Sequence, residues 1–384
     1  MPKKFQKGLF ALSADPITYG HLATIKLALK QCQKLVVLVA NNEEKKSAYT
    51  FSLAKRFALT KQAVVQANLT GVQVVVSSGL LTDVFMKEGC DVVFRGIRHE
   101  YDYSYEVEKS KLYAHIYPAV KKRFVFLTTP EKYSHVSSSW VKDFVKMGVN
   151  VAPYVPLFIK QALEEKMCGQ IKIGVTGTLG SGKSFVARQL IGALQKKKIK
   201  AYHIVLDDLL HKLYAEDSEG AQTIRQDLAK KFGTRVLSKD KKTVNRAQLA
   251  QKLFAEVRNK KTVEWAQTLV YPQVERLLRE EIAGKKGVIF VEWAQFAEMN
   301  MLSWVNNNLI LVSSKQQELW CKKRQLSAVY IKGCQKLQWS TAKKARFIQN
   351  VIKKDHCGKI LEYQNNTPDQ ICLPLLQAIL KSVR

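Results

Sequence analysis

The stretch Gly177-Thr178-Leu179-Gly180-Ser181-Gly182-Lys183-Ser184 follows directly on an apolar run, Ile171-Lys172-Ile173-Gly174-Val175-Thr176. It matches the spacing G-x-x-x-x-G-K-[ST], in which glycines let successive backbone N–H groups turn inward and cradle phosphate oxygens. On this reading Gly177, Gly180, Ser181 and Gly182 shape the loop, Lys183 reaches the terminal phosphates, and the Ser184 hydroxyl can ligand Mg²⁺. A helix expected from about Ser184 to Lys196 points its positive end at the same anion. A strand before the loop and a helix after it is the context this pattern requires. The chain is therefore expected to bind a nucleoside triphosphate.

At 384 residues, two domains are expected. A hydrophobic content of 46% supports full cores. No apolar run is long enough for a membrane span, and Met1-Pro2-Lys3-Lys4-Phe5 leads into a strand too short for a signal peptide. Seven cysteines stand singly at 32, 90, 168, 321, 334, 357 and 372, with no CxxC, which points to reduced thiols and a cytoplasmic protein. The net charge of +30 fits a solvated lysine-rich surface or a field that attracts small polyanions. Nucleic acid ranks last as a partner, because the short basic runs carry no interleaved aromatics to stack bases. No membrane partner is expected, and homo-oligomerisation is left open.

Residues 7 to 166 alternate regularly. Apolar runs suited to buried parallel strands occur at Gly8–Leu12, Leu35–Ala40, Val72–Ser77, Asp91–Phe94 and Phe124–Leu127. Helical patterns fall between and after them, near 21–31, 52–67, 80–88, 102–115 and 138–147. Such alternation predicts a doubly wound α/β sheet. A tight junction near Cys168-Gly169 divides the chain into domains 1–167 and 168–384.

Four clusters in the first half lie at strand ends or helix starts, where ligands collect in open α/β sheets. They are Ser13-Ala14-Asp15-Pro16-Ile17-Thr18-Tyr19-Gly20-His21, Glu44-Lys45-Lys46, Arg95-Gly96-Ile97-Arg98 with Asp102 and Glu106, and Val136-Ser137-Ser138-Ser139. In this order they resemble bacterial phosphopantetheine adenylyltransferase, as does the ending Val151-Ala152-Pro153-Tyr154-Val155-Pro156. That family transfers AMP from ATP to 4′-phosphopantetheine, giving dephospho-CoA and pyrophosphate. The resemblance implies a Rossmann-like nucleotidyltransferase domain in which Ser13 and His21 contact the phosphates at the reacting centre. It implies that Lys45 or Lys46, together with Arg95, stabilises the pentavalent state. Ser137, Ser138 and Ser139 would hold the β- and γ-phosphates, with Arg98 and Glu106 around the nucleotide. Leu12 stands where the family has Gly, and Ala14 where it has Phe; leucine restricts close backbone approach to a ligand.

In the second half, Tyr202-His203-Ile204-Val205-Leu206-Asp207-Asp208 reads as a strand ending in two carboxylates. Asp207 can accept the proton of an acceptor hydroxyl, and either acid can instead cap the next helix. Phe290-Val291-Glu292 ends another strand, where Glu292 can help hold a metal through water or be a surface acid. A later strand is expected over Asn306–Val312. Lys322-Lys323-Arg324 falls on a helix, the place where small kinases put lid arginines that close over ATP.

This half resembles dephospho-CoA kinase. The resemblance rests on Ile173 to Ser184, on Ile204-Val205-Leu206-Asp207, on Tyr271-Pro272 and on the tail Leu361 to Asn366. It implies a P-loop kinase domain with a parallel sheet, Asp207 as catalytic base and Arg324 among the ATP-binding groups. Together the two resemblances imply a bifunctional coenzyme A synthase whose small-molecule substrates are ATP, 4′-phosphopantetheine and dephospho-CoA, with Mg²⁺ at both sites. Two other readings stay open. One is a P-loop kinase with a non-catalytic nucleotide-binding first domain; the other is a kinase directed at nucleic acids or nucleosides.

Overall fold

The computed structural model describes residues 4–41, 49–255, 260–323, 325, 328–366 and 373–383. The chain divides into two compact units, Met1–Lys146 with Asn150–Met167, and Met147–Val149 with Cys168–Arg384.

The first unit runs β1 (Phe5–Leu12), α1 (Tyr19–Gln31), β2 (Cys32–Ala40), α2 (Leu53–Gln66), β3 (Val72–Ser77), α3 (Leu81–Lys87), β4 (Val92–Ile97), α4 (Glu100–Ile116), β5 (Phe124–Thr128), α5 (Glu131–Ser134), α6 (Ser138–Lys146) and α7 (Leu157–Leu163). Its five strands are all parallel, in the order β3-β2-β1-β4-β5. Leu35 to Val39 are buried one after another, the signature of a strand covered on both faces. The chain winds outward from β1 to β3, then returns to place β4 against the other side of β1. Connections part between β1 and β4, which opens a crevice at their carboxyl ends.

The second unit runs β6 (Gln170–Gly177), α8 (Lys183–Lys196), β7 (Ala201–Val205), α9 (Leu206–Ala215), α10 (Glu219–Phe232), α11 (Arg246–Ala255), α12 (Lys260–Ile282), β8 (Gly287–Glu292), β9 (Asn308–Ser313), α13 (Gln317–Lys323), α14 (Ala328–Leu337), α15 (Thr341–Asp355), β10 (Lys359–Gln364) and α16 (Leu373–Val383). This sheet is also parallel and five-stranded, in the order β10-β9-β6-β8-β7. Alternate residues of β8 serve opposite faces. Val288 and Phe290 pack with Val186, Leu190 and Leu376, whereas Ile289 and Val291 pack with Leu209, Leu277 and Ile348. Each such fully buried side chain contributes about 1.5–3 kcal/mol relative to exposure.

Several boundaries differ from the sequence reading: β1 and β2 start three residues earlier, at Phe5 and Cys32, β4 runs on through Arg95 to Ile97, and two further differences lie in the second unit. Asp207 and Asp208 do not end a strand, because β7 stops at Val205 and both acids lie in the first turn of α9. The apolar run Ile204-Val205-Leu206 hides the change of element, and the cap position holds Val205, which makes no side-chain cap bond. Likewise β9 begins at Asn308, because Asn306 and Asn307 take φ values of 54° and 56° and form a left-handed turn. None of the described cysteines is in a disulfide. No described helix is long and apolar enough to cross a membrane.

Candidate active sites

Helix α1 starts with a reciprocal cap: His21 N–H donates to Thr18 Oγ1, and His21 Nδ1 accepts the Thr18 backbone N–H at 3.1 Å. That bond assigns the proton of the neutral ring to Nε2. The ring thus serves the cap while lining a cavity of about 590 Å³ at the carboxyl ends of β1 and β4. The same cavity brings together Ser13, Arg95, Arg98, Glu106, Ser137, Ser138 and Ser139. Lys45 and Lys46 lie outside the described residues. Leu12 and Ala14 line the cavity too; Ala14 takes a φ of 51°, a region that favours glycine.

The charged groups of this cavity are paired with one another. Glu106 receives Arg95 Nε at 2.5 Å and Nη2 at 2.6 Å, a bidentate pair, while Arg95 Nη1 donates to Ala11 O. Glu106 is therefore the partner of Arg95 as well as a residue lining the cavity. Arg98 is similarly forked onto Asp102, at 2.8 and 3.2 Å. Burial pushes the Asp102 carboxyl up, but the Arg98 bonds and charge outweigh it and hold the carboxyl below its ordinary value. At the start of α6, Ser137 Oγ accepts the Trp140 N–H and Ser138 Oγ donates to Pro16 O. The Ser138 O–H is thus committed to the Pro16 carbonyl, while Ser137, which only accepts, keeps its O–H to donate.

Three residues outside the quoted clusters' assigned roles shape this cavity. Arg56 is 1% exposed, donates to the carbonyls of Ser13 and Ala40, and stacks 3.9 Å from the Tyr49 ring centroid. It holds the Ser13 loop from behind. Asp15 accepts the N–H groups of Thr50 and Phe51 and pairs with Lys142 at 3.1 Å. An isolated arginine on α2 or lysine on α6 has no local sequence signature for such contacts.

In the second unit, α8 begins behind Gly182, which has a φ of 88° and no side chain to cap the helix. The first-turn N–H groups thus meet no side-chain acceptor at the cap, the arrangement an anion site uses. The loop's glycines are sterically required. A Cβ on Gly177 would run into the Val312 carbonyl, and one on Gly182 into the Asn365 amide. Asn365 Nδ2 donates to Ser181 O at 3.2 Å, so the end of β10 braces the loop. On its other side the Leu179 N–H donates to Gln338 Oε1 at 2.8 Å.

A cavity of about 330 Å³ lies over this loop and gathers Gly180, Gly182, Lys183, Ser184, Asp207 and Glu292. Ser181 is fully buried beneath it and Gly177 ends β6. Ser184 Oγ donates to Glu292 Oε1 at 2.8 Å, and His203 Nε2 lies 2.9 Å from Glu292 Oε2. Burial pushes the Glu292 carboxyl up, but the His203 and Ser184 bonds and the Lys183 charge prevail and hold it below its usual value. Asp207 differs. Water reaches it inside the cavity, yet the enclosing protein desolvates it enough to raise its carboxyl, against the pull of Lys183. Two neighbouring acids are thus shifted in opposite directions, Glu292 down and Asp207 up. Asp208 does not line this cavity, and Arg324 lies outside the described residues.

The family model for dephospho-CoA kinase matches residues 171–359, and that for cytidylyltransferase-like proteins matches residues 10–144. Phosphopantetheine adenylyltransferase of Buchnera aphidicola subsp. Schizaphis graminum is 35% identical over 153 residues, which is 40% of this chain and 89% of that protein. Its counterpart in Alkaliphilus metalliredigens is 35% identical over 159 residues, 41% of this chain and 98% of that protein. Among solved structures, a dephospho-CoA kinase from Campylobacter jejuni is 16% identical, with 56% of this chain and 98% of that chain covered at a TM-score of 0.32, too low to argue from. Through its first half the chain belongs to the phosphopantetheine adenylyltransferase family, and its second half matches the family model for dephospho-CoA kinase.

Proposed function

We propose that this protein is a cytoplasmic bifunctional enzyme that carries out the last two steps of coenzyme A synthesis, with residues 1–167 serving the first step and 168–384 the second. The observation that carries this reading is that each matched segment has its own cavity of converging charged groups. Dephospho-CoA, the product of the first reaction, is the substrate of the second.

In the first step a phosphate oxygen of 4′-phosphopantetheine attacks the α-phosphorus of ATP and pyrophosphate leaves. Nucleotidyl transfer needs positioning and charge stabilisation more than covalent help. His21 presents Nε2–H to a phosphate oxygen, its other nitrogen being fixed by Thr18. Glu106 orients Arg95 toward the reacting centre, and Lys45 or Lys46 adds further positive charge. Ser13 contacts the reacting phosphates, with Arg98 at the nucleotide. The backbone N–H groups at the start of α6, with Ser139, receive the β- and γ-phosphates.

In the second step the ribose 3′-hydroxyl attacks the γ-phosphorus and ADP leaves. Asp207 takes the hydroxyl proton, while Lys183 neutralises charge developing on the transferred group. Magnesium is the implied cofactor. The donor set near Ser184 fits a hard cation, because a hydroxyl and a carboxylate oxygen lie 2.8 Å apart and both face the cavity. Among the described residues no group of three or more His, Cys, Asp or Glu side chains forms a metal cage, so the substrate phosphates would complete the shell. In the first cavity Asp15, Asp102 and Glu106 are each engaged by a cationic side chain, leaving the phosphates as the main ligands for an ion there.

The test is the acid limb of the kinase step. A base must be deprotonated to act, and raising its pKa moves the loss of activity to higher pH. The limb of kcat/KM, which reports the free enzyme, therefore lies above the ordinary aspartate value of about 3.9. Asp207→Asn lowers kcat roughly a hundredfold or more, leaves ATP affinity close to normal and removes this limb. If Asp207→Asn is fully active and Asp208→Asn is dead, Asp208 is the base and the assignment fails.

A further inference from the structure

A tryptophan carries a large apolar ring and one N–H donor, and the donor needs an acceptor once it leaves water. Trp320 lies on α13 and forms part of the wall of the phosphate-loop cavity. Its Nε1 atom is buried, with no hydrogen-bond partner among the described residues. Stranded buried donors are unfavourable and uncommon enough to require a reason. The cavity supplies one. Lys183 and Arg188 lining it are cations, Glu292 already accepts from Ser184 and His203, and the Asp207 carboxylate and Asn365 Oδ1, which also line it, do not accept from the indole. A triphosphate brings the missing acceptors, since its terminal oxygens accept hydrogen bonds and donate none.

We propose that Trp320 is a nucleotide-binding residue of the kinase domain, its indole N–H donating to a phosphate oxygen of bound ATP. This rests on the reading of the cavity as an ATP site. The packing holds the indole in place. A Cβ on Gly180 would meet Gln317 O at 2.7 Å and Cys321 Sγ at 2.9 Å, so the phosphate loop lies flush against α13. Lys323 Nζ stands 4.9 Å from the centroid of the Trp320 ring. A cation over the face polarises the indole and sharpens its N–H as a donor. The sequence reading looked to Lys322-Lys323-Arg324 for the groups that close over ATP. Lys322 lines a neighbouring cavity, and the residue of α13 that lines the phosphate cavity is Trp320.

The experiment compares Trp320→Phe, which keeps a ring and deletes the N–H, with Trp320→Ala, which deletes both. Each is made in the full-length chain and supplied with MgATP and dephospho-CoA. In both variants KM for ATP rises about tenfold, the scale of one lost charge-assisted bond, and kcat changes less. The part of the ATP-induced tryptophan fluorescence change that depends on Lys183 disappears in Trp320→Phe, while any part from Trp140 in the first cavity remains. Pyrophosphate release in the first step stays normal, and a kcat for phosphorylation close to that of the wild type shows that the unit holding Trp320 folds. Wild-type KM and a retained Lys183-dependent fluorescence response in Trp320→Phe overturn the proposal. A defect in Trp320→Ala alone also overturns it, because the ring and not its N–H would then bind. If the wild type shows no ATP binding that depends on Lys183, the kinase reading itself fails.

Discussion

Lys183→Ala lowers turnover of dephospho-CoA phosphorylation by about a hundredfold or more, the scale seen when one preorganised electrostatic group is removed. Lys183 is the first residue of α8, directly behind the uncapped Gly182, and its Nζ donates to Thr178 O at 3.1 Å. The ammonium group is thus held within the loop that is to receive the phosphates. Its charge also lowers the carboxyls of Asp207 and Glu292, so its removal acts twice. Without it Asp207 rises further, and the acid limb of any residual activity moves to still higher pH. The first step proceeds normally in this variant, because the cavity that holds His21 belongs to the other unit. The check is steady-state assay of both steps on one preparation. Near-normal phosphorylation would remove this loop from the active site.

His21→Ala stops dephospho-CoA formation, by roughly a hundredfold to a thousandfold, and leaves phosphorylation of supplied dephospho-CoA unchanged. The substitution removes two things at once: the Nε2 donor facing the cavity and the partner of Thr18 in the cap of α1. His21→Glu separates them. Glutamate at this helix position is an ordinary capping-box residue, and its carboxylate restores the cap while offering no N–H donor to the cavity. Loss in both variants is the result expected for the imidazole donor. Recovery in His21→Glu would assign the effect to the helix cap and take His21 out of the chemistry.

What the sequence disclosed depended on how local the cause was. Val72–Ser77 reads as a strand and is one, residue for residue, because a run of β-branched valines favours the extended chain locally, even on this edge strand where none of its side chains is fully buried. The phosphate loop reads equally well, since its spacing encodes one backbone shape. The start of α9 does not, because the leucine at 206 continues an apolar run and no cap residue marks the turn from strand to helix. Contacts far apart in sequence were the hardest to see. Gln338 reaches Leu179 across 159 residues and Asn365 reaches Ser181 across 184. Asn365 did stand in the quoted tail, but nothing in that tail says which loop its amide braces. Arg95 and Glu106 were both picked out, yet only geometry shows that they neutralise each other. Glu292 was visible as a strand-end acid; its low carboxyl depends on His203, which lies on the neighbouring strand β7.

The central claim is that one polypeptide performs both steps in succession. It is tested most directly by incubating the full-length chain with ATP, Mg²⁺ and 4′-phosphopantetheine and following the products by mass. The account predicts that dephospho-CoA appears first and is then converted to coenzyme A, with one pyrophosphate and one ADP released for each coenzyme A formed. A chain that makes coenzyme A from supplied dephospho-CoA but never from 4′-phosphopantetheine would contradict it, and would show that Leu12 and Ala14 have left the first cavity able only to bind.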